Sequence, residues 1–491
     1  MVSTEKLKER KKTVTMSSVP AECNARMLAV ALSVMVLGGC AAFSKDGGFG
    51  AVEQTARERL HKEVMWQRDD RQRESVQATV KKLLASPLSV DDAVQVALLG
   101  NPGLQATYAE LGIAEADLVQ AGRMANPHFA YLRTRQGGER KLEWALTFPI
   151  IDLLTIPLRT KIESRRFEQV KLAVAGQMLD VATTTRKSWF HVVAAEELVR
   201  YLEQVRLAAE ASAELASRME GAGNFSRLNR MREEVFHAET VAQLARTRQG
   251  AVAERERLTR MMGLSGDDID FRLPERLPDL PAGKPELGEI EARAMTERMD
   301  VQAAKRETES LAHSLGLTRA TRFINVLELG PAATKEDPEP WKRGFEVSLM
   351  LPIFDWGGAR VAKAEAIYMQ ALHRVAETAV NARSEVREAH SAYQTAYDTA
   401  KRYRDVIIPL RKKIAEENML RYNGMLISVF DLLADAREQA AAVGTYIVAL
   451  RDFWLSESDL QAAFNGSPTG RRAAPPRTSG AMAGNPAPAG H

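Results

Sequence analysis

Two short stretches of the chain alternate apolar and polar residues with period two. In the first, Leu142, Trp144, Leu146 and Phe148 alternate with Lys141, Glu143, Ala145 and Thr147 before Pro149. In the second, Phe345, Val347, Leu349 and Leu351 alternate with Gly344, Glu346, Ser348 and Met350 before Pro352. The prolines lie 203 residues apart, and each apolar residue of the first run has a counterpart at that offset. Such alternation predicts strands with one apolar and one polar face.

Everything around these strands reads as helix. A helix is predicted over 54–84. Ser89 then stands as an N-cap before a helix to about Leu99, which Gly100-Asn101-Pro102-Gly103 breaks. Another helix covers 104–124. Residues 128–135, the loop Gln136-Gly137-Gly138-Glu139 and the first alternating run form a hairpin. No strong breaker interrupts 158–220, about 90 Å of helix at 1.5 Å per residue. A turn at 221–224 leads to a return helix over 226–262, and a proline-rich stretch, 273–285, closes the half. The second half repeats the plan: helix 287–317, strand 322–329, polar loop 331–342, the second alternating strand, helix 359–421, a turn at Asn423-Gly424 and a return helix over 427–464. The turn glycines Gly223 and Gly424 are 201 residues apart, close to the proline offset, so the chain reads as internally duplicated. Over 181–216 and 375–403, Ala, Val, Leu and Tyr recur at three- and four-residue spacing, the seam of an antiparallel coiled-coil-like pair. The fold class is mainly α with a small β part.

Composition agrees, with only 6% aromatics in 491 residues. The formal charge of +3 is confined to the ends. Residues 1–39 hold six bases and three acids, and the stretch from Gly466 adds three arginines and no acid. The body is therefore slightly acidic, which argues against nucleic-acid binding. From Gly466 onward, Gly, Pro, Ala, Ser and Arg dominate, and the tail is expected to be disordered.

Six basic residues precede an apolar run at 27–37 that ends in Gly38-Gly39-Cys40. This describes a secretory signal, and the run is shorter than the roughly 20 residues of a membrane span. Leu37-Gly38-Gly39-Cys40 resembles the lipobox of bacterial lipoproteins, which implies a covalent lipid, such as palmitate, on Cys40. Ala41 after it implies sorting to the outer membrane. An uncleaved anchor helix is the alternative.

Two strands per half give four, too few to close a barrel, and open sheet edges have no partners in lipid. In a membrane, other copies must complete the barrel. Three copies give twelve strands, within the even-numbered bacterial range. The apolar residues Leu142, Trp144, Leu146, Phe148, Phe345, Val347, Leu349 and Leu351 would face lipid. Lys141, Glu143, Thr147, Glu346 and Ser348 would face a wet lumen. A soluble hairpin packed on helices is the alternative.

With Leu88-Ser89-Val90-Asp91-Asp92-Ala93, Asn101-Pro102, Asn126-Pro127, Phe148-Pro149, 351–358 and Tyr422-Asn423-Gly424, the chain resembles the TolC family of outer-membrane channel-tunnels, in particular its lipid-anchored efflux members. The resemblance covers about 88–465. It implies a homotrimer with a twelve-stranded barrel and a helical periplasmic tunnel. It also implies docking to a periplasmic adaptor and an inner-membrane transporter in a Gram-negative outer membrane. By the same resemblance a periplasmic gate lies near the second tip, with Tyr422 before the turn and Asp431 and Asp435 after it. At i, i+4 the two acids share a helix face, and three copies would stack two carboxylate rings. The first tip, 223–226, would meet the adaptor. The expected organisation is a signal peptide at 1–39, a lipidated segment at 40–87, a first repeat at 88–285 with its hairpin at 128–148, a second repeat at 286–465 with its hairpin at 322–351, and a tail at 466–491. No nucleophile elbow, P-loop, HExxH or dinucleotide motif occurs, and the histidines are scattered, so no enzyme, cofactor, catalytic or metal site is expected. The function expected is a passive conduit fed by a pump. The alternative is a non-conducting periplasmic coiled-coil lipoprotein.

Overall fold

The computed structural model describes residues 42–283, 290–324 and 326–466, the side chain of residue 293 excepted. Cys40, the expected signal peptide at 1–39, and the tail beyond Gly466 lie outside the described residues. The chain forms two compact units, one including residues 119–157 and 326–349 and the other including 43–118, most of 158–324, and 350–466.

The first unit carries a four-stranded antiparallel sheet in the order β1-β2-β3-β4. Its strands are β1 (His128–Gln136), β2 (Glu139–Pro149), β3 (Leu327–Glu336) and β4 (Lys342–Leu349). The hairpin at 128–149 is as predicted. The second is shifted: residues 322–324 and 326 are not strand, and β3 continues through Pro331 to Glu336 in place of the expected loop. Pro331 lacks an N–H, and the β2–β3 ladder is interrupted opposite it and Gly330, while pairing with β4 runs on through Pro331–Phe345. Leu351 lies beyond β4.

The second unit is helical. Its elements are α1 (Gly50–Leu60), α2 (Asp70–Leu84), α3 (Val90–Gly100), α4 (Pro102–Ala121), α5 (Ile150–Gly221), α6 (Arg227–Met262), α7 (Ile290–Glu297), α8 (Met299–Ala320), α9 (Gly358–Arg402), α10 (Ile408–Asn423) and α11 (Val429–Asn465), where α4 and α5 begin or end in the sheet unit. Side chains set the boundaries. Asp69 and Ser89 cap α2 and α3 by accepting the N–H of Gln72 and Asp92. Asn101 accepts the Leu104 N–H at 3.0 Å and donates to the Met261 carbonyl at 2.8 Å, which seats α4 on the end of α6.

The helix expected over 54–84 is two helices. His61 takes a left-handed φ of 53°, and an extended strap follows. Gln95 and Gln105 satisfy the strap's backbone: Gln95 accepts the Glu63 N–H at 3.1 Å and donates to its carbonyl at 2.7 Å, and Gln105 accepts the Gln67 N–H at 2.9 Å and donates to the Met65 carbonyl at 2.9 Å. The helix expected over 359–421 contains a π-turn at Tyr403–Ile407, where the Ile408 N–H reaches the Tyr403 carbonyl. Pro409, next in line, has no N–H to continue the ordinary ladder.

One core cluster joins α2, α3, α5, α6, α9 and α11. At its centre six aromatic rings link both halves of the chain. Phe190 of α5 stacks on Trp454 of α11 at 5.3 Å, and Phe453 touches Tyr393 and Tyr397 of α9. Trp454 Nε1 and Tyr397 Oη donate to the carbonyls of Pro278 and Pro281, which pins the proline-rich stretch. A second cluster gathers α1, α3, α4, α5 and Met299.

The helix expected over 287–317 breaks at Arg298, which is buried. Its guanidinium donates to Asp300 at 2.7 Å, to Glu385 at 2.7 Å and to the Ala463 carbonyl at 3.0 Å, so one side chain ties α8, α9 and α11. Asp300 and Glu385 are about one-third exposed and can rehydrate if Arg298 is lost. The buried cation cannot rehydrate if its acids are lost. Asp300→Ala with Glu385→Ala should therefore cost more stability, about 3–5 kcal/mol, than Arg298→Met. Thermal unfolding of the three proteins checks the order.

Candidate membrane sheet and helical tips

Cα partners in an antiparallel ladder point to the same face, so the register sorts the sheet into two faces. Trp144 pairs with Tyr131 and Ala333, Leu146 with Phe129, Phe148 with Leu329, Pro331 with Phe345, and Leu329 with Val347. All of the predicted apolar residues within the strands thus share a face, and β1 and β3 add Phe129, Tyr131, Leu327 and Leu329 to it. The face is open: Phe129 is 68% exposed and Phe345 77%. Leu351, outside the sheet, is not part of it.

The opposite face carries Lys141, Glu143, Thr147, Glu346 and Ser348. Its lysines and Glu328 are paired, while Glu139 and Glu346 have no ion-pair partner among the described residues. Lys141 lies 2.6 Å from Glu143 and 3.4 Å from Glu336. Glu328 lies 3.2 Å from His128 and accepts from Thr147 at 2.9 Å. Every residue of the outer strands β1 and β4 is exposed. Strand direction alternates across the sheet, so β1 and β4 are antiparallel to each other.

The β1 and β3 contributions were present in the sequence as Phe129 and Tyr131 around Ala130, and Leu327 and Leu329 around Glu328. The proline in β3 concealed the second pair. Gly330 allows β2 and β3 to meet, because a Cβ there would lie 1.7 Å from the Leu146 carbonyl oxygen. A Cβ at Gly344 of β4 would meet nothing within 4 Å. Gly330→Val should therefore abolish the folded sheet, while Gly344→Ala leaves it intact. Circular dichroism and the gel mobility of unheated samples distinguish the two.

In the helical unit, the two helix-pair tips share one hydrogen-bond pattern. The N–H groups of Ala222, Gly223 and Asn224 reach the carbonyls of Arg218, Glu220 and Met219. Those of Gly424, Met425 and Leu426 reach Leu420, Tyr422 and Arg421. The offset is 202 throughout, and the N-caps Ser226 and Ser428 obey it too. This corrects the pairing of Gly223 with Gly424. Gly223, with φ 77°, corresponds to Met425, with φ 57°, and Gly424 corresponds to Ala222. Met425 holds a left-handed conformation that costs a non-glycine residue, and its side chain is 93% exposed.

Tyr422 is exposed at this tip. Asp431 is also exposed and completes a capping box: its carboxylate accepts from Ser428 Oγ at 2.7 Å and from the Ser428 N–H at 3.1 Å. The Ser428 hydroxyl, followed by its N–H, holds the Asp431 carboxyl below the usual carboxylate range. Asp435 differs. Its side chain is 10% exposed and faces Arg411 of α10 at 3.8 Å. Asp435 thus has an intrachain partner on another helix, whereas Asp431 is paired with its own cap residue. Behind the tips, Glu233 is buried, accepts from Ser212 at 2.7 Å and pairs with Arg437 at 3.1 Å, which joins α5, α6 and α11. Spacing gave no sign of this link.

Because the folded Asp431 carboxyl is the more acidic, its cap is fully present above the unfolded value near 3.8 and is lost as pH falls through the lowered value. Hydrogen exchange at Leu432 and Leu433, corrected for intrinsic rate, should accelerate over that range. Asp431→Asn should show the fast rate at pH 7.

No family model matches the chain. The cobalt-zinc-cadmium resistance protein CzcC of Cupriavidus metallidurans is 25% identical over 284 residues, which cover 55% of this chain and 64% of that protein. Among solved structures, the open-state MtrE outer-membrane channel of Neisseria gonorrhoeae matches with a TM-score of 0.65 at 18% identity, over 77% of this chain and 89% of its own. The outer-membrane protein VceC of Vibrio cholerae matches with a TM-score of 0.63 at 14% identity, over 82% and 98%. The resemblance expected from the sequence is met at the level of architecture: this chain has the fold of the outer-membrane efflux channels.

Proposed function

We propose that this protein is the outer-membrane channel of a tripartite efflux or export system. It passively conducts cargo that an inner-membrane transporter delivers through a periplasmic adaptor. The observation that carries the reading is the sheet: one open apolar face, one polar face, and two exposed edges of opposite direction. β4 of one copy can continue the antiparallel ladder onto β1 of the next, and a ring closes without an edge. Three copies make a twelve-stranded barrel. The common pattern at both helical tips supports internal duplication, with each half giving one hairpin and one helix pair. Lipid on Cys40 anchors the chain beside the barrel. Asp431 and Tyr422 line the entrance, Asp431 as a single carboxylate ring, and the first tip at Gly223 meets the adaptor. The lumen face mixes acids, lysine and small residues, so selection rests with the pump.

Reconstituted protein should run as a heat-modifiable trimer and give single-channel steps in planar bilayers. A monomeric, non-conducting protein would instead be the structural lipoprotein. Asp431→Ala should relieve block by divalent cations, while Asp435→Ala leaves block unchanged. Equal block in wild type and Asp431→Ala would remove the ring from the account.

A further inference from the structure

We propose that the turn end of the sheet's apolar face docks the phosphate groups of an outer-leaflet glycolipid, through Arg133, Arg135 and Arg343. The proposal rests on the membrane reading above. Along the apolar face, rows of ladder partners change character towards the hairpin turns. Leu327 and Leu349 come first, then Phe148, Leu329 and Val347, then Leu146 with Phe129 and, on the same row, Pro331 with Phe345. Tyr131 and Trp144 follow, in a row that ends at Arg343 through Ala333. Next Leu142 stands between Arg133 and Lys335, and last Arg135 stands opposite Arg140.

Rows lie about 7 Å apart along a strand, so the basic rows begin some 20–27 Å from the first apolar row. With strands tilted about 40°, the three basic rows project to roughly 15, 21 and 26 Å along the barrel axis, so Arg135 reaches the rim of the roughly 25 Å apolar band, and Arg133 and Arg343, inside it, extend their long side chains towards headgroup height.

The cations on the two faces are treated differently. On the polar face, Lys141 pairs with Glu143 and Glu336, and Lys342 pairs with Glu339. On the apolar face, Arg140 and Lys335 share the one carboxylate of Asp337, at 3.8 and 3.5 Å. Arg133, Arg135 and Arg343 have no acidic partner among the described residues. Arg135 also faces Arg140 directly, and like charges opposed across a ladder destabilise it unless an anion lies between them. Guanidinium groups bind phosphate oxygens in bidentate fashion. An acidic soluble protein would satisfy the arginines and leave the adjoining apolar rows uncovered. A phosphorylated lipid satisfies both with one molecule.

The test uses the full-length protein in neutral detergent, with bisphosphorylated lipid A and its dephosphorylated form as probes. Native mass spectrometry reads the binding, and unheated gels and bilayer conductance read the assembly. Wild type should bind the phosphorylated probe about tenfold more tightly than the dephosphorylated one, with the difference shrinking as salt rises. Arg133→Ala with Arg135→Ala and Arg343→Ala should remove the preference and keep the oligomer, and the corresponding triple lysine variant should keep part of the preference. If wild type assembles and conducts but does not discriminate the probes, or if the assembled alanine variant still does, the proposal is overturned and the channel reading stands. If wild type neither assembles nor conducts, the channel reading falls and takes the proposal with it.

Discussion

A strand edge carries N–H and C=O groups that water can satisfy and lipid cannot. That constraint governs everything this sheet can be. Its apolar face, from Phe129 to Phe345, is too open for water, where such a surface invites aggregation. Its edges β1 and β4 are too bare for lipid. In the proposed membrane setting both problems have one solution, closure with further copies of the same chain. The antiparallel relation of β1 to β4 permits that closure with no change in ladder type. Oligomerisation is thus part of the proposed fold itself.

The helical unit meets a different constraint. Long antiparallel helices with sparse aromatics need local fastenings between distant parts of the chain. The six-ring cluster around Phe453 and Trp454 and the Glu233–Arg437 pair each join segments from both halves, and the buried Arg298 ties three helices of the second half. Apolar burial provides the first fastening. Charges provide the other two, which are costly to break because one partner is buried. The tips are built more lightly. A capping box on an exposed helix end and a left-handed, exposed Met425 take the place of such fastenings there.

Much of this was legible in the sequence. The period-two runs located β2 and β4 because each alternates cleanly, and Ser89 and the glycine-containing turns marked boundaries by their own chemistry. What was hidden depended on partners distant in sequence. The second half of β3 reads as loop because Pro331 breaks a strand rule, yet its missing N–H falls where the ladder is interrupted. The strap after His61 has no strand pattern because glutamine side chains, rather than a neighbouring strand, satisfy its backbone. The tips were aligned one residue out because glycine was taken to mark the left-handed position, whereas Met425 occupies it. Asp431 and Asp435 share a helix face by spacing, but only the facing Arg411 of another helix shows that Asp435 is turned inward.

The central claim is that β1 of one copy pairs with β4 of the next, and cysteine cross-linking tests it most directly. Ala130→Cys would be combined in turn with Gly344→Cys, Glu346→Cys and Ser348→Cys, which lie on the same face at the two edges, within the Cα separations that ladders and disulfides share. The account predicts that one combination, oxidised in intact outer membranes, yields a covalent ring that migrates as a trimer even after heating, with neither single variant doing so. Monomers from every combination, or an open ladder of lengths beyond three, would contradict it.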